Sequence, residues 1–203
     1  MSARFGCTDP TDVEITLGRA TSTDSTLAES LTPVDGSLGG LAIGPGLMPI
    51  SLRLLPAEKA GPDARLAVEQ SLLQALQKSV PLPTTPIAVG ARWKVERTIS
   101  AAATLTQTIE ARLESWEGNR LVLAVNVDET PVNSVFAVPG TGSTLTINRF
   151  SSSGTGRLTV DLTRGLPVDG TINVSGAREL VGSDPNAPLI QQTALSVTWR
   201  ATT

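Results

Sequence analysis

Few residues in this chain have the types and spacing that chemistry needs. Nucleophilic catalysis asks for a base beside a hydroxyl or thiol, and histidine, the usual base, is absent. The lysines, Lys59, Lys78 and Lys94, stand in no Ser-x-x-Lys spacing. Ser151-Ser152-Ser153-Gly154 has the composition of a nucleophile loop and, more simply, of a turn. Paired carboxylates remain, because glycoside hydrolysis needs only two. Glu110, Glu114 and Glu117 lie close together, and Asp128-Glu129 ends a strand-like run. Alternation sets Glu110 and Glu114 on the face opposite Ile109, Ala111 and Leu113, which points the acids to solvent. The aromatics that stack against sugars are scarce, with three Trp, three Phe and no Tyr. The expectation is a protein that is not an enzyme.

Metal and cofactor chemistry fares no better. One cysteine, Cys7, and no histidine exclude an internal disulfide and a Cys-cluster zinc site. Carboxylates and carbonyls alone would suit calcium, yet Asp9, Asp12 and Asp35 match no EF-hand loop. Gly140-Thr141-Gly142 is a turn and lacks the Gly-Lys ending of a phosphate loop. No metal and no cofactor is expected. A net charge of −3, a pI near 5.0 and scattered basic residues argue against nucleic acid as a partner. No stretch approaches the ~18 apolar residues of a membrane span, and no signal peptide is visible.

The elements that would position any site are mostly strands. With 40% hydrophobic residues, few of them aromatic, the core must be aliphatic. Abundant Thr, Ser, Gly and Pro suit strands and turns. Residues 13–17 alternate as one strand, 21–26 form a polar loop, and 35–40 carry turn residues. Residues 47–55 make a strand interrupted by Pro49. Residues 62–79 predict the one amphipathic helix, with Pro62 and Asp63 in its first turn. Val68, Leu72 and Leu76 are its apolar stripe, flanked by Leu73 and Val80, and Pro81 and Pro83 stop it. The plain reading packs that stripe on a sheet; the sharper one makes the helix a lid over an apolar cavity.

From residue 87 the period becomes two. Ile87, Val89, Ala91, Trp93 and Val95 alternate, then Leu105, Gln107, Ile109, Ala111 and Leu113. Glu117-Gly118-Asn119 reverses the chain into Leu121, Leu123, Val125 and Val127. Further strands are expected over 132–138, 143–150, 156–163, 171–180 and 189–201, the last with Leu195, Val197 and Trp199 on one face. The whole reads as a mainly β, antiparallel meander. It forms a curved sheet or half-barrel with one amphipathic α-helix packed on it. Residues 1–45 contribute a strand and loops, and 46–203 the helix and meander, of a single domain.

The segment Pro81-Leu82-Pro83-Thr84-Thr85-Pro86-Ile87-Ala88-Val89-Gly90-Ala91-Arg92-Trp93 resembles the Pro-x-x-Pro-Val-x-Val-Gly-Ala-x-Trp segment of a bacterial domain family of unknown function. That family is common in actinobacterial and other envelope proteins. Its Gly-Leu-Pro-Val-x-Gly stretch is matched by Gly165-Leu166-Pro167-Val168-Asp169-Gly170. In this reading Gly90 serves a bulge or close backbone approach and Trp93 is a core anchor. The resemblance spans residues 45–203. It implies a cell-envelope or secreted location, with anchoring by a segment outside this chain, and no catalytic residues. Cys7 follows Gly6, but Arg4 stands where a lipid-attachment box takes an aliphatic residue. A looser architectural similarity links the expected fold to lipoprotein carriers of the LolA and LprG type.

Two functions follow. One is a non-enzymatic bacterial envelope protein binding a lipid or other hydrophobic molecule, lined by Leu72, Leu73, Leu76, Trp93, Ile109, Leu123 and Trp199. The other is a structural or interaction module that pairs with an envelope protein through a sheet edge and takes no small molecule.

Overall fold

The computed structural model describes residues 12–100, 102–138, 140–164 and 166–201; Cys7, Asp9 and Gly165 lie outside them. The chain divides into two units, Met1–Thr84 and Thr85–Thr203. It is mainly β, with antiparallel sheets that do not close into a barrel.

In the first unit, β1 (Val13–Thr16), β2 (Leu38–Gly44) and β3 (Met48–Leu55) form a three-stranded antiparallel sheet in the order β1-β2-β3. Two helices accompany it, not one. Helix α1 (Ser25–Leu31) begins inside the stretch expected to be a polar loop. Asp24 is the reason: its side chain accepts from the backbone N–H of Thr26 and Leu27 at 2.9 and 3.1 Å, satisfying donors that a helix start leaves open. Helix α2 (Pro62–Leu76) starts at the expected proline and ends three residues short of 79, where Gln77, Lys78 and Ser79 close a turn onto Leu73, Ala75 and Leu76.

The stripe that α2 buries is Ala64, Val68 and Leu72, spaced four apart, against Leu31, Val34 and Ala60. Leu66 and Leu73 face water. The helix therefore packs against α1 and β3, within the first unit. The sequence had grouped it with the meander, because an amphipathic stripe declares that it needs a partner and not which one.

The second unit is a seven-stranded antiparallel sheet. Its strands are β4 (Arg92–Ser100), β5 (Thr104–Glu117), β6 (Arg120–Pro131), β7 (Val135–Ala137), β8 (Thr144–Asp161), β9 (Pro167–Val181) and β10 (Leu189–Arg200). They run β10-β9-β8-β6-β5-β4, and β7 pairs with the first residues of β8. The β5–β6 hairpin turns where expected, with Gly118 at φ 57°. Gly90, at φ 92°, takes the bulge alternative: it donates to the Leu113 carbonyl while the Leu113 N–H donates to the Ala91 carbonyl, so two residues face one just ahead of β4.

Register aligns one apolar face across six strands. Trp93, Ala111, Val125, Gly156, Ile172 and Val197 form one row; Val95, Ile109, Val127, Gly154, Val174 and Leu195 form the next. The central aliphatics of these rows are buried, each valine and isoleucine worth about 1.5–3 kcal/mol when fully removed from water. In both rows β8 contributes a glycine. A Cβ on Gly154 would stand 2.6 Å from Val174 Cγ2, and one on Gly156 2.6 Å from the Thr171 carbonyl oxygen. Residues 151–154 thus lie within one 18-residue strand, not in the turn that their Ser and Gly content suggested. The glycines are there for close packing.

Gly156→Ala should therefore destabilise the protein by about 1–3 kcal/mol through overpacking. Gly18→Ala, at a site with nothing within 4 Å, should stay within about 0.5 kcal/mol of the parent. Chemical denaturation of both variants checks this, and equal midpoints would remove the close-approach explanation.

Candidate functional site

The apolar face is crossed by a line of polar side chains. Arg97, Gln107 and Glu129 occupy one register row of β4, β5 and β6, with Ser152 of β8 next to it. Arg97 Nε donates to Gln107 Oε1 at 2.8 Å, and Gln107 Nε2 donates to Glu129 Oε1 at 2.7 Å. The Ser152 hydroxyl donates to Glu129 Oε2 at 2.8 Å. Gln107 is fully buried, and among the described residues no buried side-chain nitrogen or oxygen lacks a partner. Burial pushes the Arg97 pKa down, against the opposing pull of Glu129. Hydroxyl beside carboxylate is the nearest thing to a nucleophile–base pair here. Glu129 is already engaged on its other oxygen by the amide, and no oxyanion donor set accompanies Ser152. Chemically the line is a relay of matched donors and acceptors that joins a cation to an anion.

Carboxylates on the opposite face are spoken for or wet. Glu110 and Asp128 lie in an open trough of about 740 Å³ floored by small polar groups such as Ser153, Asn173 and Ser196. Glu114 accepts from Arg157 Nε at 2.8 Å and from Arg112 Nη2 at 3.2 Å, which hold its pKa below the ordinary range, Arg157 foremost. Asp161 is lowered by the hydroxyl and backbone N–H of Thr163. Among the described residues no group of three acids or other metal-ligating side chains converges.

A smaller, more apolar recess lies in the first unit. About 210 Å³ is walled by Leu17, Val34, Leu54, Pro56 and Val68, together with Ser37, Arg65 and Glu69. Two of its polar members are already committed. Ser37 Oγ accepts from the Ala57 N–H at 2.9 Å, and Arg65 Nε donates to the Ala60 carbonyl at 2.7 Å.

The seven residues nominated from sequence are divided between the two units. Leu72 packs under α2, Leu73 is exposed, and Leu76 is half-buried at the helix end. Ile109 and Leu123 are fully buried in cross-strand packing of the large sheet. Trp93 and Trp199 are half-buried on its two outermost strands, β4 and β10. Sequence reasoning missed Arg97, Gln107, Glu129 and Ser152. A signal was present, since Arg97 and Gln107 fall in the apolar phase of their strands, between Val95 and Ile99 and between Leu105 and Ile109.

No family model matches the chain, and neither the curated proteins nor the solved structures give a significant match.

Removing one member of the polar line strands the other charge. Glu129→Leu should cost about 2–3 kcal/mol, below the full value for a deeply buried pair because both ends are half-exposed. Arg97→Met with Glu129→Leu should recover at least half of that in a double-mutant cycle. Additive losses would show that the relay does not couple the two charges.

Proposed function

We propose that this chain is a non-enzymatic binding protein of the bacterial cell envelope whose ligand is a hydrophobic molecule. The observation that carries the reading is the recess beside α2. Five of its eight lining residues are apolar, its arginine and buried serine are bonded to the protein's own backbone, and Glu69 is exposed. A dry aliphatic cavity of roughly 150 Å³ is enough to take up benzene. At about 210 Å³, this one suits a ring or the branched end of an acyl chain. Val68 comes from the helix, so the helix that the sequence suggested as a lid also forms one wall. The envelope location rests on the resemblance of the Pro81-to-Trp93 segment to an envelope domain family.

Native mass spectrometry of protein purified from an envelope extract, with lipid analysis after denaturation, tests this. A bound apolar molecule at one per chain is expected, lost in Val68→Trp, which fills the recess. An apo mass, with no uptake of added acyl chains or benzene-sized probes, would sink the reading.

The edge of the large sheet favours a second one, in which the chain pairs with another copy of itself. Strand β10 has no charged residue from 189 to 199, and its register with β9 is unbroken by a bulge. Leu189 and Ile190 are 56% and 58% exposed. Edge strands are ordinarily blunted by lysine, proline or bulges, and this one would meet its own copy without charge repulsion. Sedimentation over rising concentration should show a dimer that Ala194→Lys abolishes; a monomer throughout would remove this reading.

A further inference from the structure

Among the described residues Arg178 is a cation without an anion. It lies on β9 in the phase of Val174 and Leu180, on the apolar face, with Phe150 beside it on β8 and Gln191 on β10. Its guanidinium carbon is 4.3 Å from the centroid of the buried Phe136 ring. Its Nε donates to Gln191 Oε1 at 2.8 Å. The adjacent acid, Glu179, projects from the other face, where Asn148 and Arg149 engage it. Among the described residues no carboxylate pairs with Arg178, and burial pushes its pKa down. On the same face Arg97 is compensated, reaching Glu129 through Gln107. The contrast isolates Arg178.

The groups gathered here are all donors. A guanidinium carries five N–H groups and no acceptor, and Gln191 takes one of them. Because the Gln191 oxygen is the acceptor, its NH₂ is a second donor group beside the Nη atoms. The surround is apolar: Phe136, Phe150, Leu180 and the exposed Leu189, which is in phase with Gln191. A half-buried guanidinium in such a setting gains most from an ionised oxygen ligand taken end-on by its two Nη atoms. An apolar body attached to that ligand would find Phe150 and Leu189 alongside.

We propose that Arg178 and Gln191 form the head-group site for an amphipathic anion, a carboxylate or phosphate whose apolar part lies against Phe150 and Leu189. This site is in the second unit and does not depend on the recess beside α2.

Calorimetric titration of the full chain with dodecanoate, dodecyl phosphate, dodecanol and acetate, each below its micelle concentration, tests it. The two long-chain anions should bind at least tenfold more tightly than dodecanol or acetate and should shift the Arg178 Nε–H resonance. The tighter of the two identifies the head group. Arg178→Met should erase the tenfold preference without lowering the ligand-free thermal midpoint by more than about 2 °C, since it breaks no ion pair and methionine keeps an apolar contact with Phe136. Val68→Trp should leave the anion preference intact, which separates this site from the recess. Equal binding of dodecanol, no binding of either anion, a preference that survives Arg178→Met, or its loss in Val68→Trp would each overturn the assignment.

Discussion

A side chain at Gly154 or Gly156 would collide with Val174 or with the backbone at Thr171, and that exclusion sets how closely β8 and β9 can lie. Two rows of the apolar face pass through these glycines. Ile172 and Val174 can occupy the space above β8 because β8 presents bare backbone there. The aliphatic core of the large sheet, poor in aromatic bulk, fills the space over these glycines with side chains from β9. Gly170 repeats the device from β9: at φ 118° it lies opposite Leu158, and a Cβ there would stand 2.8 Å from the Leu158 Cα.

Such a face has a weakness that the polar line answers. Rows of Val, Leu, Ile and Ala resemble one another, so sliding a strand by two residues would return aliphatics to the same face at little cost in buried area. Gln107 changes this. It is fully buried and reaches both Arg97 and Glu129 in one alignment of β4, β5 and β6. A slipped register would bury the amide unpaired, which costs about 1–3 kcal/mol before any charge is counted. Ser152 extends the same specification into β8. The line is better understood as alignment hardware than as an active centre.

Local pattern was legible, and non-local partnership was not. The β5–β6 hairpin could be read because Gly118 and the flanking alternation lie within one short stretch. Helix α2 could be read from Pro62 and the four-residue spacing of its stripe. Helix α1 was hidden by residues 21–26, whose Ser, Thr and Asp mark loops and helix caps alike; the bonds that Thr26 and Leu27 N–H donate to Asp24 decide between them. Residues 151–154 were misread for a related reason, since Gly and Ser serve turns and close strand packing equally well. The polar line and Arg178 depend on register. Nothing near Arg97 in the sequence says that Gln107 will lie beside it, and nothing near Arg178 says that Glu179 will leave it unpaired.

The placement of the tryptophans carries a practical consequence. Trp93, Trp116 and Trp199 all belong to the second unit, and the chain has no tyrosine. Tryptophan emission therefore originates wholly in residues 85–203, whereas the helical signal in far-ultraviolet dichroism comes from α1 and α2 of the first. The two units carry separate optical labels of natural origin, so the melting of each can be followed in the unmodified protein.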